Sequence, residues 1–219
     1  MLNNIAAGRR ESVKAEKRRR IIATARRVFK AQGFERATTQ EIARLARIAT
    51  GTLFLYARDK RELLLMVFND ELATITETSI AAVDADAPLL EQLLNFYRPR
   101  FAFWASDVAL ARIVTAEVYA SRAPTEVGAE LARVNERQQR MVAALAERVA
   151  AYARTHGLTL RDRPEAIANM IHYLYIGELR VWLSHAAPRV ADAMANLERY
   201  YALLLGGIVG PAVGRRRRT

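Results

Sequence analysis

The stretch Ala37–Leu64, ATTQEIARLARIATGTLFLYARDKRELL, decides the fold of this chain. Thr38 followed by Glu41 is a capping-box pattern, so a helix is predicted to begin near Thr39 and to turn Ile42, Ala43 and Ala46 inward. Asp59 followed by Glu62 repeats the pattern. It opens a longer helix on which Leu63, Leu64, Val67, Phe68, Leu72 and Ile75 recur at helical spacing. Between the two lies room for one turn, Arg47 to Ala49, and one short helix, about Thr50 to Tyr56. Upstream, Ile21, Ile22, Ala25, Val28 and Phe29 form an apolar stripe that Gly33 ends. Three short helices around one small core, with the third presenting its outer face, make a helix-turn-helix module.

Such a module assigns roles residue by residue. Thr38 and Thr39 sit at a helix N-terminus, where hydroxyls and backbone N–H groups hold a phosphate, and Lys60 occupies the same kind of position on the next helix. Thr50, Thr52, Leu55 and Tyr56 are the side chains of the short helix placed to meet DNA. Gly51 allows close approach, and Arg47 is a further phosphate or base candidate. Leu53 and Phe54 have a second reading, as packing for the small core.

At this point the residues resemble a family. Phe29…Gly33-Phe34, Thr38…Glu41-Ile42-Ala43, Gly51-Thr52-Leu53-Phe54 and Lys60…Glu62-Leu63-Leu64 together resemble the DNA-binding domain of the tetracycline-repressor (TetR) family, from Arg18 to about Leu72. The resemblance covers about a quarter of the chain. It implies a homodimeric transcriptional regulator, usually a repressor released from a palindromic operator by a small molecule. It also implies that Phe54 stands where the family carries a phosphate-binding tyrosine. The departures are specific: Arg47 replaces a usual turn glycine, Ala49 a usual capping serine, and Ala57 a frequent phenylalanine. If the turn needs positive φ, arginine there costs about 1 kcal/mol relative to glycine.

Charge distribution agrees with a nucleic-acid partner. Residues 1–60 hold 15 Lys/Arg against 5 Asp/Glu, net +10, whereas residues 61–210 are net −3 and four arginines close the chain, for +11 in total. A phosphate-binding surface at one end produces that asymmetry. Arg9, Arg10, Lys14 and Lys17 to Arg20 read either as an arm following the DNA backbone or as a solvated lead-in, and Arg215 to Arg218 read as a charged tail. The chain has 219 residues, 52% of them hydrophobic, enough for one short DNA-binding domain and a larger body. It has no cysteine, which removes disulfides, thiolate catalysis and cysteine-ligated zinc. No signal peptide or membrane span is read, so a soluble cytoplasmic protein is expected. An enzyme is not expected: His156, His172 and His185 lack metal-ligand spacing, no nucleophile motif occurs, and neither metal nor cofactor is called for.

The fold class is all-α, an N-terminal three-helix helix-turn-helix domain followed by a larger C-terminal helical domain for ligand binding and dimerisation. The predicted boundaries are a basic arm without fixed structure over 1–17, the DNA-binding domain over 18–64 with a connector helix over about 60–80, the body over 65–210, and a basic tail over 211–219. In the body, Pro88 opens a helix, and Ser106-Asp107 breaks it and starts another running to about Ser121. Pro124 opens a long helix ending at Gly157, and Asp162 with Glu165 forms a third capping box around Pro164. That helix runs to about His185, and the last ends at Gly206-Gly207.

The last two helices carry more apolar surface than one partner needs. Ile167, Ile171, Leu174, Val181, Met194, Leu197, Tyr201 and Leu204 are the dimer-interface candidates, against ordinary core packing; the resemblance implies a four-helix interface there, and Gly177 would suit a close crossing. Aromatic residues with a few polar handles suggest a pocket for a hydrophobic or aromatic effector: Phe96, Tyr97, Arg100, Phe101, Trp104, Tyr119, His172 and Tyr175. Each also reads as core, and Arg100 as either an anchor for an anionic ligand or half of a salt bridge. The expected partners are thus a double-stranded DNA operator, a second copy of the chain and a small effector. A nonspecific DNA-coating protein is the alternative, distinguished by its lack of preference among sequences at fixed salt.

Overall fold

The computed structural model describes residues 2–81, 83–120 and 128–208, with side chains from residue 8 to residue 207. The described residues form α1 (Leu2–Arg36), α2 (Thr39–Leu45), α3 (Thr50–Phe54), α4 (Lys60–Ala81), α5 (Leu89–Ala105), α6 (Val108–Val118), α7 (Ala129–Thr155), α8 (Pro164–Ser184) and α9 (Val190–Ile208), with no strand among them. The chain divides into two units. Residues 1–71 and 112–134 make the first, and residues 72–111 and 135–219 the second. The sequence had drawn one boundary near residue 64. It missed that the segment 112–134 belongs with the N-terminal unit.

In the first unit, Ile21, Ala25, Val28 and Phe29 are buried on α1 as their spacing requires. Gly33, at φ 79 and ψ 167, breaks the helix before its last turn. The basic residues from Arg9 to Arg20 are not an arm preceding this helix but part of its N-terminal half, exposed except for the half-buried Lys17 and Arg18, because α1 begins at Leu2. Thr38 caps α2, its Oγ1 accepting the Glu41 N–H at 3.1 Å. The box closes on one side only, since the Glu41 carboxylate accepts from Gln32 Nε2 at 2.6 Å instead. Asp59 caps α4 in the same way through the Glu62 N–H at 2.8 Å, while Glu62 turns to the Arg58 N–H and guanidinium.

A buried polar cluster ties residues 128–134 into this unit. Glu130 is 6% exposed and accepts from Asn69 Nδ2 at 2.8 Å, Arg133 Nη1 at 2.9 Å and Arg18 Nη2 at 3.3 Å. Arg18 also pairs with Asp70 at 2.7 Å. Arg18 is therefore a structural residue rather than a phosphate contact.

In the second unit α5 and α8 both pack on α9. Their facing apolar residues, among them Leu93, Phe101, Ile171, Leu179, Leu197 and Tyr201, are essentially inaccessible to solvent. The polar tips of the large aromatics are satisfied inside: Trp104 Nε1 donates to Tyr175 Oη at 3.0 Å, and Tyr201 Oη to the Ile171 carbonyl at 3.1 Å. Pro88 stands at the N-cap of α5, as read.

The third capping box does not form. The N-cap of α8 is Arg163, with Pro164 in the first turn, and Asp162 Oδ1 only accepts from the Arg163 N–H. A residue preceding proline is kept out of the helical region, so Arg163 cannot be the first helical residue. α6 ends at Val118, short of the expected Ser121, and α7 ends at Thr155 before Gly157, whose φ is 61. Ser121, Pro124 and the tail 211–219 lie outside the described residues.

Arg47 has φ 54, the one non-glycine residue with positive φ among those described. Its turn does require the left-handed conformation. Arg47→Gly should therefore stabilise the protein by about 1 kcal/mol in urea unfolding. An unchanged or lower midpoint would contradict the strain.

Candidate functional site

The short helix α3 is anchored from below and open above. Leu53 is 0% exposed and Ala57 2%, while Phe54 is 46% and Leu55 83% exposed. The competing core reading thus holds for Leu53 and fails for Phe54. The helix starts without a side-chain cap at Ala49, and Thr50 does not take over that role. Its first turn is held by the Thr52 and Leu53 N–H groups on the Ala49 carbonyl. Thr38, Arg47 and Gly51 are exposed; Thr39, Thr50, Thr52 and Tyr56 are half-buried. Beyond its chain neighbours and its own helix backbone, no described residue lies within 4 Å of a Cβ added at Gly51, and its φ is unexceptional, so no contact among the described residues demands glycine there.

Lys60 is placed differently from the expectation. Its ammonium donates to the carbonyls of Phe34 at 2.9 Å and Glu35 at 3.1 Å and lies 4.4 Å from the centre of the Phe34 ring. It closes the last turn of α1, where Gly33 has released the carbonyls, so its charge is already engaged within the chain.

These features fit one family description. Residues 21–67 match the model of bacterial regulatory proteins, tetR family. This segment is a TetR-family DNA-binding domain. Among curated proteins, the fatty acid metabolism regulator protein of Bacillus subtilis (strain 168) is 27% identical over 105 residues, which is 48% of this chain and 54% of that one. The match thus spans about half of that relative's length. Among solved structures, the fold is similar to Thermus thermophilus FadR, a TetR-family transcriptional repressor in complex with lauroyl-CoA. The TM-score is 0.67 at 23% identity, covering 90% of this chain and 97% of that one. Bacillus subtilis FadR in complex with stearoyl-CoA gives a TM-score of 0.63 at 22% identity, covering 86% and 98%. The second unit thus has the fold found C-terminal to the TetR-family domain in those regulators.

The aromatic candidates of the second unit lie against one another. Tyr97 stacks on Tyr175 at 4.5 Å, and Phe101 meets Tyr175 and Trp182 edge-on at 5.5 Å. Tyr97, Phe101, Trp104, His172 and Tyr175 are all at most 5% exposed. They make a packed core, while Tyr119 falls in the first unit, just beyond the end of α6. Phe96 alone among these candidates lines an open groove of about 390 Å³, together with Ile80, Gln92, Leu145, Arg148 and Tyr152. The sequence reading missed the α7 contribution, because a helix with apolar and polar faces does not reveal which boundary between them borders a cavity.

The dimer candidates divide as well. Ile167, Ile171, Met194, Leu197 and Tyr201 are buried within the unit, and Leu174 and Leu204 are half-buried. Helical spacing identifies an apolar face but not the partner it meets, and this face meets α5 and the other member of the pair. The exposed apolar residues are Met170 at 50%, Tyr173 at 66% and Val181 at 54% on α8, and Leu203 at 72% on α9. With Gly177, which has open space around it, the α8 set forms one stripe at i, i+3, i+7 and i+11.

Three variants check these placements. Gly51→Ala should leave stability unchanged or slightly raised and weaken DNA binding by about tenfold or more, because a backbone or base edge can no longer come as close. Lys60→Met should lower stability by about 1–2 kcal/mol in urea, whatever it does to DNA affinity. Burial, and after it the charge of Arg100, pushes the His172 imidazole down to about 4 from its ordinary 6.5. The unfolded chain therefore takes up this proton first, and stability present above pH 6.5 is lost as pH falls toward 4. His172→Gln should flatten that part of the stability profile by on the order of 3 kcal/mol relative to the parent. Parallel profiles would exclude a neutral buried His172.

Proposed function

We propose that this chain is a homodimeric, ligand-responsive transcriptional repressor. In this reading two copies of α3 enter successive major grooves of a palindromic operator, and a small effector with an apolar body, bound in the second unit, releases the complex. The observation that carries it is α3 itself: buried at Leu53 and Ala57, bare at Gly51, Phe54 and Leu55, within a TetR-family domain. A single helix of five residues reads too few bases for useful specificity, so two copies are required. The exposed stripe Met170, Tyr173, Gly177 and Val181 supports pairing through α8, and Leu203 on α9 extends it.

The effector class follows from the groove and from the neighbours. A groove of about 390 Å³ is within the range used for small ligands, and the solved relatives named above hold lauroyl-CoA and stearoyl-CoA. A fatty-acyl body is accordingly the first class to test. α4 follows the DNA-reading helix, gives its first part to the first unit, and lines the groove at Ile80. A ligand there acts on that helix, provided it binds the released and DNA-bound arrangements with different affinity.

The test is selection of genomic fragments bound by the purified chain, followed by a screen for acyl compounds that release them. A palindromic site bound at least about 10³-fold more tightly than random DNA at fixed salt is expected. A ratio near one would instead identify a nonspecific DNA-coating protein. Val181→Glu and Gly177→Leu should each shift the particle from dimer to monomer in sedimentation and abolish operator binding while leaving the helical signal intact. Tyr56→Ala should weaken the operator complex without changing the dimer.

A further inference from the structure

Three side-chain atoms are buried without a hydrogen-bond partner among the described residues: Ser79 Oγ, Arg100 Nε and His172 Nε2. All three belong to the second unit, one each from α4, α5 and α8. They are 0%, 5% and 4% exposed. They also share neighbours. Arg100 Nη2 donates to Thr76 Oγ1 at 2.6 Å, and Thr76 lies one turn before Ser79 on α4. His172 Nδ1 is 3.5 Å from the hydroxyl of Tyr97, one turn before Arg100 on α5.

The electrostatics of this cluster are unbalanced. A guanidinium keeps its charge at any ordinary pH and has only donors. Two buried carboxylates show what a charge pair looks like here: Glu62 is held by Arg58, and Glu130 by Arg18 and Arg133, while the buried Glu178 accepts from the Asn196 amide. Arg100 has a threonine hydroxyl and the Phe96 ring, 5.4 Å away, and no carboxylate within ion-pair distance among the described residues. A buried charge without a counterion is among the costliest arrangements in a core. The neighbouring groups add donors, not charge. Ser79 offers an O–H, and His172 Nε2 carries a hydrogen in the tautomer whose Nδ1 accepts from the Tyr97 hydroxyl.

The Arg100 guanidinium among neutral donors matches a single monoanionic acceptor; Arg137, also buried and also felt at Tyr175, has an interaction of its own. A carboxylate supplies one charge and two oxygens for these donors. A phosphate dianion would leave excess negative charge buried, and an ester or amide carbonyl would leave the guanidinium uncompensated. None of the three residues lines the groove, but their neighbours on α4 and α5 do, which gives such a molecule a place for its body next to them. Its lining residue Phe96 is one turn before Arg100 on α5, and its lining residue Ile80 is one turn after Thr76 on α4.

We propose that the second unit binds an organic acid whose unesterified carboxylate is received by Arg100, Ser79 and His172, with its apolar body toward Phe96 and Ile80. As the effector site this rests on the repressor reading; as a binding site it stands without it. It selects the free acid over its thioester, because only the free acid carries a charge at the acyl carbon.

The experiment is calorimetry and thermal unfolding of the full chain with octanoate and 4-phenylbutyrate, each against its amide, and with chloride alone. The acids should raise Tm and bind at least tenfold more tightly than the amides. Arg100→Met should remove that preference, weakening the acids by about 100-fold. Without ligand, Arg100→Met should keep or raise Tm by a few degrees, since an uncompensated charge is removed and Thr76 retains its bond to the Leu72 carbonyl at 2.6 Å. Ser79→Ala should weaken the acids several-fold with Tm unchanged. Equal effects of acid and amide, no effect of either acid, a response to chloride alone, or full acid binding by Arg100→Met would each overturn the site. A fall in the ligand-free Tm of Arg100→Met would show a structural role instead. Acid binding that leaves an operator complex intact would reject the effector reading while supporting the site.

Discussion

The carboxylate of Glu130 is the constraint around which the DNA-binding unit is organised. A buried carboxylate needs its lone pairs filled, and here three elements fill them: Arg18 on α1, Asn69 on α4, and Arg133 one turn along α7. Arg18 and Arg133 reach on to Asp70, so the set is a network rather than a pair. The result is that residues remote in sequence are held in one unit with the helix-turn-helix segment. Nearby, Gly128 leaves room for the Arg58–Glu62 pair, where any side chain would collide with both.

The second unit handles buried polarity in the opposite way. Its tyrosine and tryptophan tips are matched with one another or with carbonyls, which lets aromatic rings fill the core at close separation. Ser79, Arg100 and His172 are the exceptions among the described residues. A core that matches its aromatic tips and leaves a guanidinium without a carboxylate partner among the described residues is electrostatically unbalanced. The same burial keeps His172 neutral, so that it is not a second charge beside Arg100.

Local signals were legible to the residue. Thr38 and Asp59 cap the helices their spacing announced, Gly33 interrupts α1, and Arg47 takes the left-handed turn that a glycine would fill more easily. The third capping box failed for a local reason too, since Pro164 dictates what Arg163 can do. Leu53 inward and Leu55 outward follow from the geometry of a short helix on a small core. The intramolecular bonds of Lys60 were not legible, because its position at a helix start is visible in sequence whereas the Glu35 carbonyl it reaches 25 residues earlier is not.

What the sequence determined by itself is therefore the set of helices, the caps of α2 and α4, the basic N-terminal segment and the exposed outer face of α3. Each depends on interactions within a few residues or on the sum of charges. Only the tertiary structure decided which apolar faces of α8 and α9 are interior, that 112–134 joins the first unit, and that the aromatic residues pack while the groove opens beside them. It alone revealed that Arg100 lies buried without a counterion among the described residues. Periodicity tells that a helix has a face to bury. Which element covers it, and which charges meet beneath, is settled by contacts between residues far apart in the chain.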